Sequence, residues 1–310
     1  MTKIFVSSNK NPDLDGYACA VGYAEFLNKT GKNAQPILLG EIEDETKFVL
    51  KLAELKPLEI YEGLIDSDIV LVDSSHIQTI GREVDPKKLV EIIDHRRVNN
   101  SDLYPWAKVQ NELVGSCATL ITEKFINDNI VPSIESAYLL YGAIVSNTIN
   151  FKNKITTDRD HKAANYLKTL INIPENFAEE MFKARTNIEG ENLSRYLHKD
   201  FVQLELSGEK FTVFQMEIIR TNQVVKNRLE EIKNILQEIV KDKDLDFYFL
   251  NMIDTLEAFN YIICPDQNSR RLLEKVLELK FDNDVAKTGF IIMRKEIMSL
   301  IKDYLQENEV

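Results

Sequence analysis

The spacing of apolar and polar residues changes twice along this chain. In the first third, short apolar runs alternate with amphipathic stretches. KIFVSS (3–8) is a continuous apolar run closed by small polar residues, as in a strand buried on both faces. GYACAVGYAEFLNKTG (16–31) has apolar residues at helical spacing and stops at Gly31. AQPILLG (34–40) predicts a second strand and TKFVLKLAEL (46–55) a helix. DIVLVDSS (68–75) and LVEIIDH (89–95) are two further β-branched runs that end in polar residues. This alternation predicts an α/β fold with a mainly parallel, doubly wound sheet and helices on both faces.

From residue 114 the pattern turns helical, through VGSCATLITEKFINDN (114–129), SIESAYLLYGAIVSNTINF (133–151), TDRDHKAANYLKTL (157–170) and PENFAEEMFKART (174–186). The polar, glycine-containing TNIEGENLSRY (186–196) marks a composition shift, so the expected division is a first domain over 1–187, a linker over 188–195 and a second domain over 196–310. In the second domain FVQLELSGEKFTVFQMEI (201–218) reads as two strands turned at Ser-Gly. A long charged helix follows (222–243), then strands at 246–253 and 260–265, a helix at 269–280, a strand at TGFIIM (288–293) and a last helix. The expected second domain is thus smaller and mixed α/β.

Composition narrows the class. With 44% hydrophobic and 28% charged residues, the chain is that of an ordinary soluble globular protein. No apolar run approaches the roughly 18 residues that span a bilayer, and MTKIFVSSN lacks the apolar core of a secretion signal. Three scattered cysteines imply no disulfide framework, so a cytoplasmic location is expected. The net charge of −12 argues against binding along a nucleic-acid backbone, although a local basic pocket for a small anion remains compatible with it.

The chemistry lies at the strand ends. In open parallel sheets, ligands bind outside the carboxyl ends of the strands. KIFVSS leads into Asn9, Asp13 and Asp15, DIVLV ends at Asp73, and LVEII ends at Asp94, His95 and Arg96. Taken singly, NPDLDG is a turn with a helix cap, Asp73 a strand-end acid and DHR a surface ion cluster. Gathered at one sheet edge, the carboxylates repel one another unless a cation neutralises them. Oxygen donors with one imidazole suit manganese or magnesium. Those side chains must then lie within about 8 Å of one another, given bonds only a little over 2 Å long. His76 follows Asp73 closely enough to support such a site, and the helix start at Gly115–Cys117 offers amides to a phosphate or packs beside the site. His161 and His198 read as solvated side chains.

NPDLDG, VDSSH, IIDHR and VGSCATL together resemble the DHH phosphoesterase superfamily, most closely its manganese-dependent family II inorganic pyrophosphatases. MRKE (293–296) sits where that family has a phosphate-binding Arg-Lys pair, so the likeness spans essentially the whole chain. It implies a DHH domain and a DHH-associated domain that close over a phosphoanhydride at a two-metal centre; with the ligand replacements below, the expected cofactor is one or two manganese or magnesium ions. It also implies a homodimer, paired through sheet edges of the first domain. Asp13, Asp15, Asp73 and His95 match family metal ligands, and Arg294 and Lys295 match the phosphate-binding pair. Asn9 stands in place of a ligand histidine, Arg96 in place of the second histidine of DHH, and Asn147 in place of a ligand aspartate. A family lysine falls on Val202, with Lys199 and Lys210 nearby.

Asn9 and DHR are similar to the prune-like, short-chain exopolyphosphatase branch, which keeps the aspartate that Asn147 replaces. An amide oxygen from Asn9 or Asn147 can coordinate but brings no charge, whereas Arg96 can fork onto a phosphate. The expectation is a pyrophosphatase-like hydrolase acting on pyrophosphate or short polyphosphate. The alternatives are a short-chain exopolyphosphatase and a degenerate binder of a phosphate-rich small molecule. A phosphodiesterase is disfavoured, since Gly208 and Gly289 are the only glycines from residue 196 onward and no Gly-Gly stretch is present.

Overall fold

The computed structural model describes residues 2–81, 84–96, 101–185, 188, 190 and 192–307. The chain forms two compact units, Met1–Arg185 and Thr186–Val310. Part of the expected linker, at residues 189 and 191, lies outside the described residues, as does 187 at the expected end of the first domain. Residues 192–199 within and after that linker form a helix.

The first unit holds a five-stranded sheet of β1 (Lys3–Ser7), β2 (Asn33–Pro36), β3 (Asp68–Val72), β4 (Leu89–Asp94) and β5 (Lys108–Asn111). They are hydrogen-bonded in the order β2-β1-β3-β4-β5 with every pair parallel. Four of these strands follow from the apolar runs. β5 does not, because KVQN at a sheet edge needs little apolar character to stay paired.

Side chains alternate across the sheet. Phe5, Ile69, Leu71 and Ile92 join Ile37, Leu39, Ile77, Ile80 and Tyr104 in one core, which is covered by coil and two short 3-10 turns (Ile77–Ile80 and Ser101–Leu103). The intervening Val6, Val70, Val72 and Ile93 are also fully buried. On their side, α1 (Leu14–Lys29) packs on β1 and β3, and α3 (Cys117–Asn127) packs on β4. Each such residue contributes roughly 1.5–3 kcal/mol on burial. Around them lie α2 (Asp44–Leu52), α4 (Ile134–Asn147), α5 (Asp158–Lys168) and α6 (Phe177–Arg185). The chain runs outward from β1 to β2, then returns to place β3 on β1's other side. The carboxyl ends of β1 and β3 therefore flank a topological switch point, where a crevice forms.

The second unit has a mixed sheet in the order β10-β9-β8-β7-β6, with β6 (Phe201–Leu206), β7 (Glu209–Ile218), β8 (Phe247–Asp254), β9 (Phe259–Ile263) and β10 (Val285–Lys287). β6 and β7 form the expected hairpin. Ser207 and Gly208 both have positive φ, 50° and 81°, as a two-residue turn between twisted strands requires. The helices are α7 (Asn192–Lys199), α8 (Thr221–Val240), α9 (Gln267–Val276) and α10 (Arg294–Glu307).

TGFIIM is not the strand its apolar run predicts. The Ile292 carbonyl accepts from the buried amides of Asn251 (2.9 Å) and Asn260 (2.6 Å), and the Ile292 N–H donates to Asn260 Oδ1 at 3.3 Å. Side chains thus satisfy backbone groups that a ladder would otherwise pair.

Candidate metal centre

Three strand ends meet at the switch point. Asp15 sits in the first turn of α1, which begins after β1. Asp73 is the first residue beyond β3, and His95 the first beyond β4. One ligand atom from each lies within 4.8 Å of the others, well inside the limit set by metal–ligand bond lengths. Among the described residues, no other group of three or more His, Cys, Asp or Glu ligand atoms is drawn together in this way.

Asp15 is fully buried and held from four directions. Oδ1 accepts from the Ser116 hydroxyl (3.0 Å) and the Ala118 N–H (2.9 Å), while Oδ2 accepts from the Cys117 N–H (2.8 Å) and the Asn147 amide (2.5 Å). The first turn of α3 thus cradles a carboxylate of the protein itself, where unpaired N–H groups and the helix dipole favour negative charge. The sequence suggested that these amides were open to a phosphate; the structure gives them to Asp15. Close approach here explains Gly115, because a Cβ would lie 2.6 Å from Thr148 Cγ2, and its N–H is needed by Asp160 at 2.9 Å.

Asp73 is also fully buried and has φ of 52°, a left-handed conformation that an aspartate tolerates better than most residues. Its buried Oδ1 makes no well-aligned hydrogen bond and instead faces two cationic groups, His95 Nε2 at 3.3 Å and Arg96 Nη2 at 3.1 Å. His95 Nε2 lies 3.3 Å from Asp73 Oδ1 and 3.9 Å from Asp15 Oδ2. Its Nδ1 is 3.0 Å from the Val114 carbonyl. An Nδ1–H donated to that carbonyl leaves Nε2 as the ligand atom of a neutral ring.

The acids are crowded. Burial, followed by the Asp73 charge, raises the Asp15 carboxyl above the ordinary aspartate range. Burial and the Asp13 charge do the same to Asp73, against the pull of Arg96 and His95. Asp13 is raised by burial and by Asp15. Burial works against a charged His95 ring, but the hydrogen bond and charge of Asp73 outweigh it and carry the imidazole from 6.5 to about 9. Carboxylates that resist sharing a dry site, beside an imidazole forced to hold a proton, are a ligand set whose charge balance lacks a cation. Two oxygen donors and one nitrogen suit manganese or magnesium, so the residues fit such an ion.

The other expected site residues are spread around this trio. Asp13 caps α1, with its Oδ1 accepting from Gly16 N–H at 2.9 Å, so the helix-cap reading is realised. Its charge acts on both Asp15 and Asp73, although it is not one of the three grouped ligands. Asn9 is half-buried on the loop after β1. Asn147, at the end of α4, presents its amide nitrogen to Asp15. Arg96 forks onto Asp73, with Nη2 at 3.1 Å from Oδ2, and its Nη1 reaches the Asp73 carbonyl (2.5 Å) and Asp94 Oδ1 (3.2 Å).

In the second unit, Arg294 opens α10. Its N–H donates to Gln215 Oε1 at 2.7 Å and its Nη1 to Asp200 Oδ1 at 2.8 Å, while Lys295 is exposed. Val202 is half exposed on β6, and Lys210 pairs with Asp244. His76 caps a 3-10 turn and is not among the grouped ligands. His161 stacks on Phe151, and His198 bonds the Ser194 carbonyl. Cys117 is buried, and burial pushes its thiol up to about 11, which leaves it inert.

The sequence names Asp94 at the end of its strand but assigns it no supporting role, and it does not single out Val114. Asp94, fully buried, accepts from the His95 N–H (2.8 Å) and from Arg96, fixing the turn that carries both. The Val114 carbonyl sets the His95 ring. The signals were present, as the first letter of DHR and as the residue just before the Gly-Ser helix start.

The chain matches the DHH family, N-terminal domain, over residues 3–144 and the DHHA2 domain over residues 179–304. It is 26% identical over 310 residues to a Bacillus cereus protein named "Probable manganese-dependent inorganic pyrophosphatase", covering 99% of this chain and 100% of that protein. A Bacillus cytotoxicus protein of the same name is 26% identical over 312 residues, with 99% of each chain covered. Among solved structures, a candidate family II inorganic pyrophosphatase from Methanococcus jannaschii superposes with a TM-score of 0.71. That protein is 27% identical, and the match covers 97% of this chain and 98% of the other.

Proposed function

We propose, from the premise that this chain belongs to the DHH phosphoesterase superfamily and carries its DHH and DHHA2 domains, that it is a divalent-metal-dependent phosphoanhydride hydrolase that splits pyrophosphate into phosphate. The single observation that carries this reading is the buried Asp15–Asp73–His95 cluster at the switch point, with ligand atoms within 4.8 Å. Manganese is the metal in the names of the Bacillus relatives, and it fits these donors.

A divalent cation held by this cluster supplies Lewis-acid polarisation of a phosphoryl oxygen and acidifies the attacking water. The chain's residues do the rest. The α3 amides and the Ser116 hydroxyl fix the Asp15 carboxylate, so little rearrangement is needed at the moment of reaction. The Val114 carbonyl keeps the His95 ring turned with Nε2 inward. Arg96, whose side chain is 42% exposed, presents a permanent charge to a phosphate. Arg294 and Lys295 are the proposed phosphate-holding pair of the second unit. Phosphoryl transfer depends mainly on such positioning and electrostatics.

The test is phosphate release from pyrophosphate and from tripolyphosphate by purified protein supplied with manganese or magnesium. Pyrophosphate turnover is expected. Preference for tripolyphosphate would instead support the short-chain exopolyphosphatase reading. Tight polyphosphate binding without turnover would support a non-hydrolysing binder, to which the replacements Asn9, Arg96 and Asn147 point.

We also propose that the protein acts as a homodimer in the cytoplasm, with pairing through the edge strand β5. On and beside the otherwise polar β5, Trp106, Val109 and Leu113 are exposed at 52%, 42% and 56%, apolar side chains at a sheet edge of the kind that proteins cover. Sedimentation equilibrium is expected to give twice the 35.7 kDa chain mass; a monomer at micromolar concentration rejects this pairing. The three buried free thiols suit a reducing compartment. No helix among the described residues is long and apolar enough to cross a membrane.

A further inference from the structure

We propose that this centre is built for one divalent cation per chain, and that the Arg96 guanidinium stands where a second cation would have to bind Asp73. The inference deepens the metal-dependent reading above and rests on it.

Asp15, Asp73 and His95 converge within 4.8 Å, and no other such group occurs among the described residues. A second ion near them would need to share a carboxylate and find further donors. Asp73 is the central acid, and its outer side is taken: Arg96 Nη2 lies 3.1 Å from Oδ1 and 3.1 Å from Oδ2. The guanidinium is itself anchored, through Nη1, to the Asp73 carbonyl at 2.5 Å and to Asp94 Oδ1 at 3.2 Å. It is a built element of the site, not a loose surface cation.

Asp15 is closed in a different way. The Asn147 amide donates to Oδ2 at 2.5 Å. The side chain at that position therefore acts as a hydrogen-bond donor to a ligand and brings no negative charge of its own. What remains for a second ion is Asp13, with one oxygen already committed to the Gly16 N–H, and Oδ2 of Asp94, whose Oδ1 is held by the His95 N–H and by Arg96. The fixed charge of Arg96, paired with both Asp73 and Asp94, works against a second divalent cation there. Arg96 also does electrostatically part of what a second ion would do. It neutralises Asp73 and leaves N–H donors for a phosphoryl oxygen.

The test counts metal, not turnover. Metal-free full-length protein is dialysed against manganese, and bound ions per chain are measured by elemental analysis, with electron paramagnetic resonance to detect coupled ion pairs. Wild type is expected to hold one ion per chain with an uncoupled manganese signal. Arg96→Gln, which removes the charge and uncovers Asp73, is expected to gain a second, weaker ion and the coupled signal. Arg96→Lys keeps the charge and is expected to stay at one. Circular dichroism checks that each variant is folded.

Two ions of comparable affinity in wild type would overturn the inference while leaving the hydrolase reading intact. A folded Arg96→Gln that stays at one ion would overturn the role given to Arg96. No bound manganese at all would remove the metal-dependent reading and this inference with it. Should Arg96→Gln fail to fold, the wild-type count still decides the one-ion inference, and Arg96→Met, which also removes the charge, decides the role of Arg96.

Discussion

Asp73→Asn is expected to lower manganese-supported phosphate release by about a thousandfold or more, a loss of roughly 4 kcal/mol of transition-state stabilisation. Asparagine keeps the shape of the side chain and tolerates the left-handed backbone at this position, where φ is 52°. Backbone strain therefore does not obscure the result. What is lost is charge. The carboxylate is the common neighbour of His95 Nε2 at 3.3 Å and of Arg96 Nη2 at 3.1 Å, both measured to its Oδ1, and it is fully buried. An amide there leaves the Arg96 charge less compensated and offers a cation only a neutral oxygen. Manganese affinity should fall in parallel. Steady-state phosphate release and metal binding by the folded variant measure both effects. Activity within tenfold of wild type would show that Asp73 is not central to the chemistry.

Between pH 6.5 and 8.5 the apparent manganese affinity should rise by close to tenfold per pH unit, about a hundredfold in all. The His95 imidazole is carried from 6.5 to about 9 by Asp73 and Asp15, against the effect of burial, so over this range the metal-free ring holds a proton that must leave before Nε2 can bind an ion. Each ion bound should therefore release about one proton, measurable by calorimetry in buffers of different ionisation enthalpy. A flat profile would mean that the ring is already neutral.

Stability moves the other way. A folded value above the unfolded one means that the native state holds the proton more tightly. The stabilisation is complete below 6.5 and is lost as pH rises through about 9. It amounts to roughly 3 kcal/mol, and the raised carboxyls of Asp13, Asp15 and Asp73 act in the same direction. Metal-free protein should thus melt several degrees lower at pH 9 than at pH 6.5. Bound manganese should reduce that slope, because the ion takes the proton's place.

The alternation of apolar runs and amphipathic stretches was enough to read four of the five strands of the first sheet. It was also enough to place Asp13 and Asp15 after β1, Asp73 after β3 and His95 after β4, since strand ends are local features. β5 escaped because an edge strand as polar as KVQN carries no apolar signature. TGFIIM misled because Asn251 and Asn260, distant in sequence, supply the hydrogen bonds that a neighbouring strand would supply. The helix at Asn192–Lys199 spans the expected boundary at 195/196, because its polar residues and the nearby Gly190 hide an apolar stripe, of which Leu193 and Leu197 are buried.

By itself, the sequence determined which chemical groups end each strand and the rhythm that makes the sheet parallel. Both are written in residues adjacent along the chain, where periodicity and turn chemistry act. Only the tertiary structure decided what those groups touch. Cys117 donates to Asp15 across 102 positions, Asn147 to the same carboxylate across 132, and Arg96 to Asp73 across 23. Such pairings depend on strand order and helix packing, and no local pattern encodes them. They decide whether an amide faces a phosphate or an aspartate, and whether an arginine faces solvent or a metal ligand.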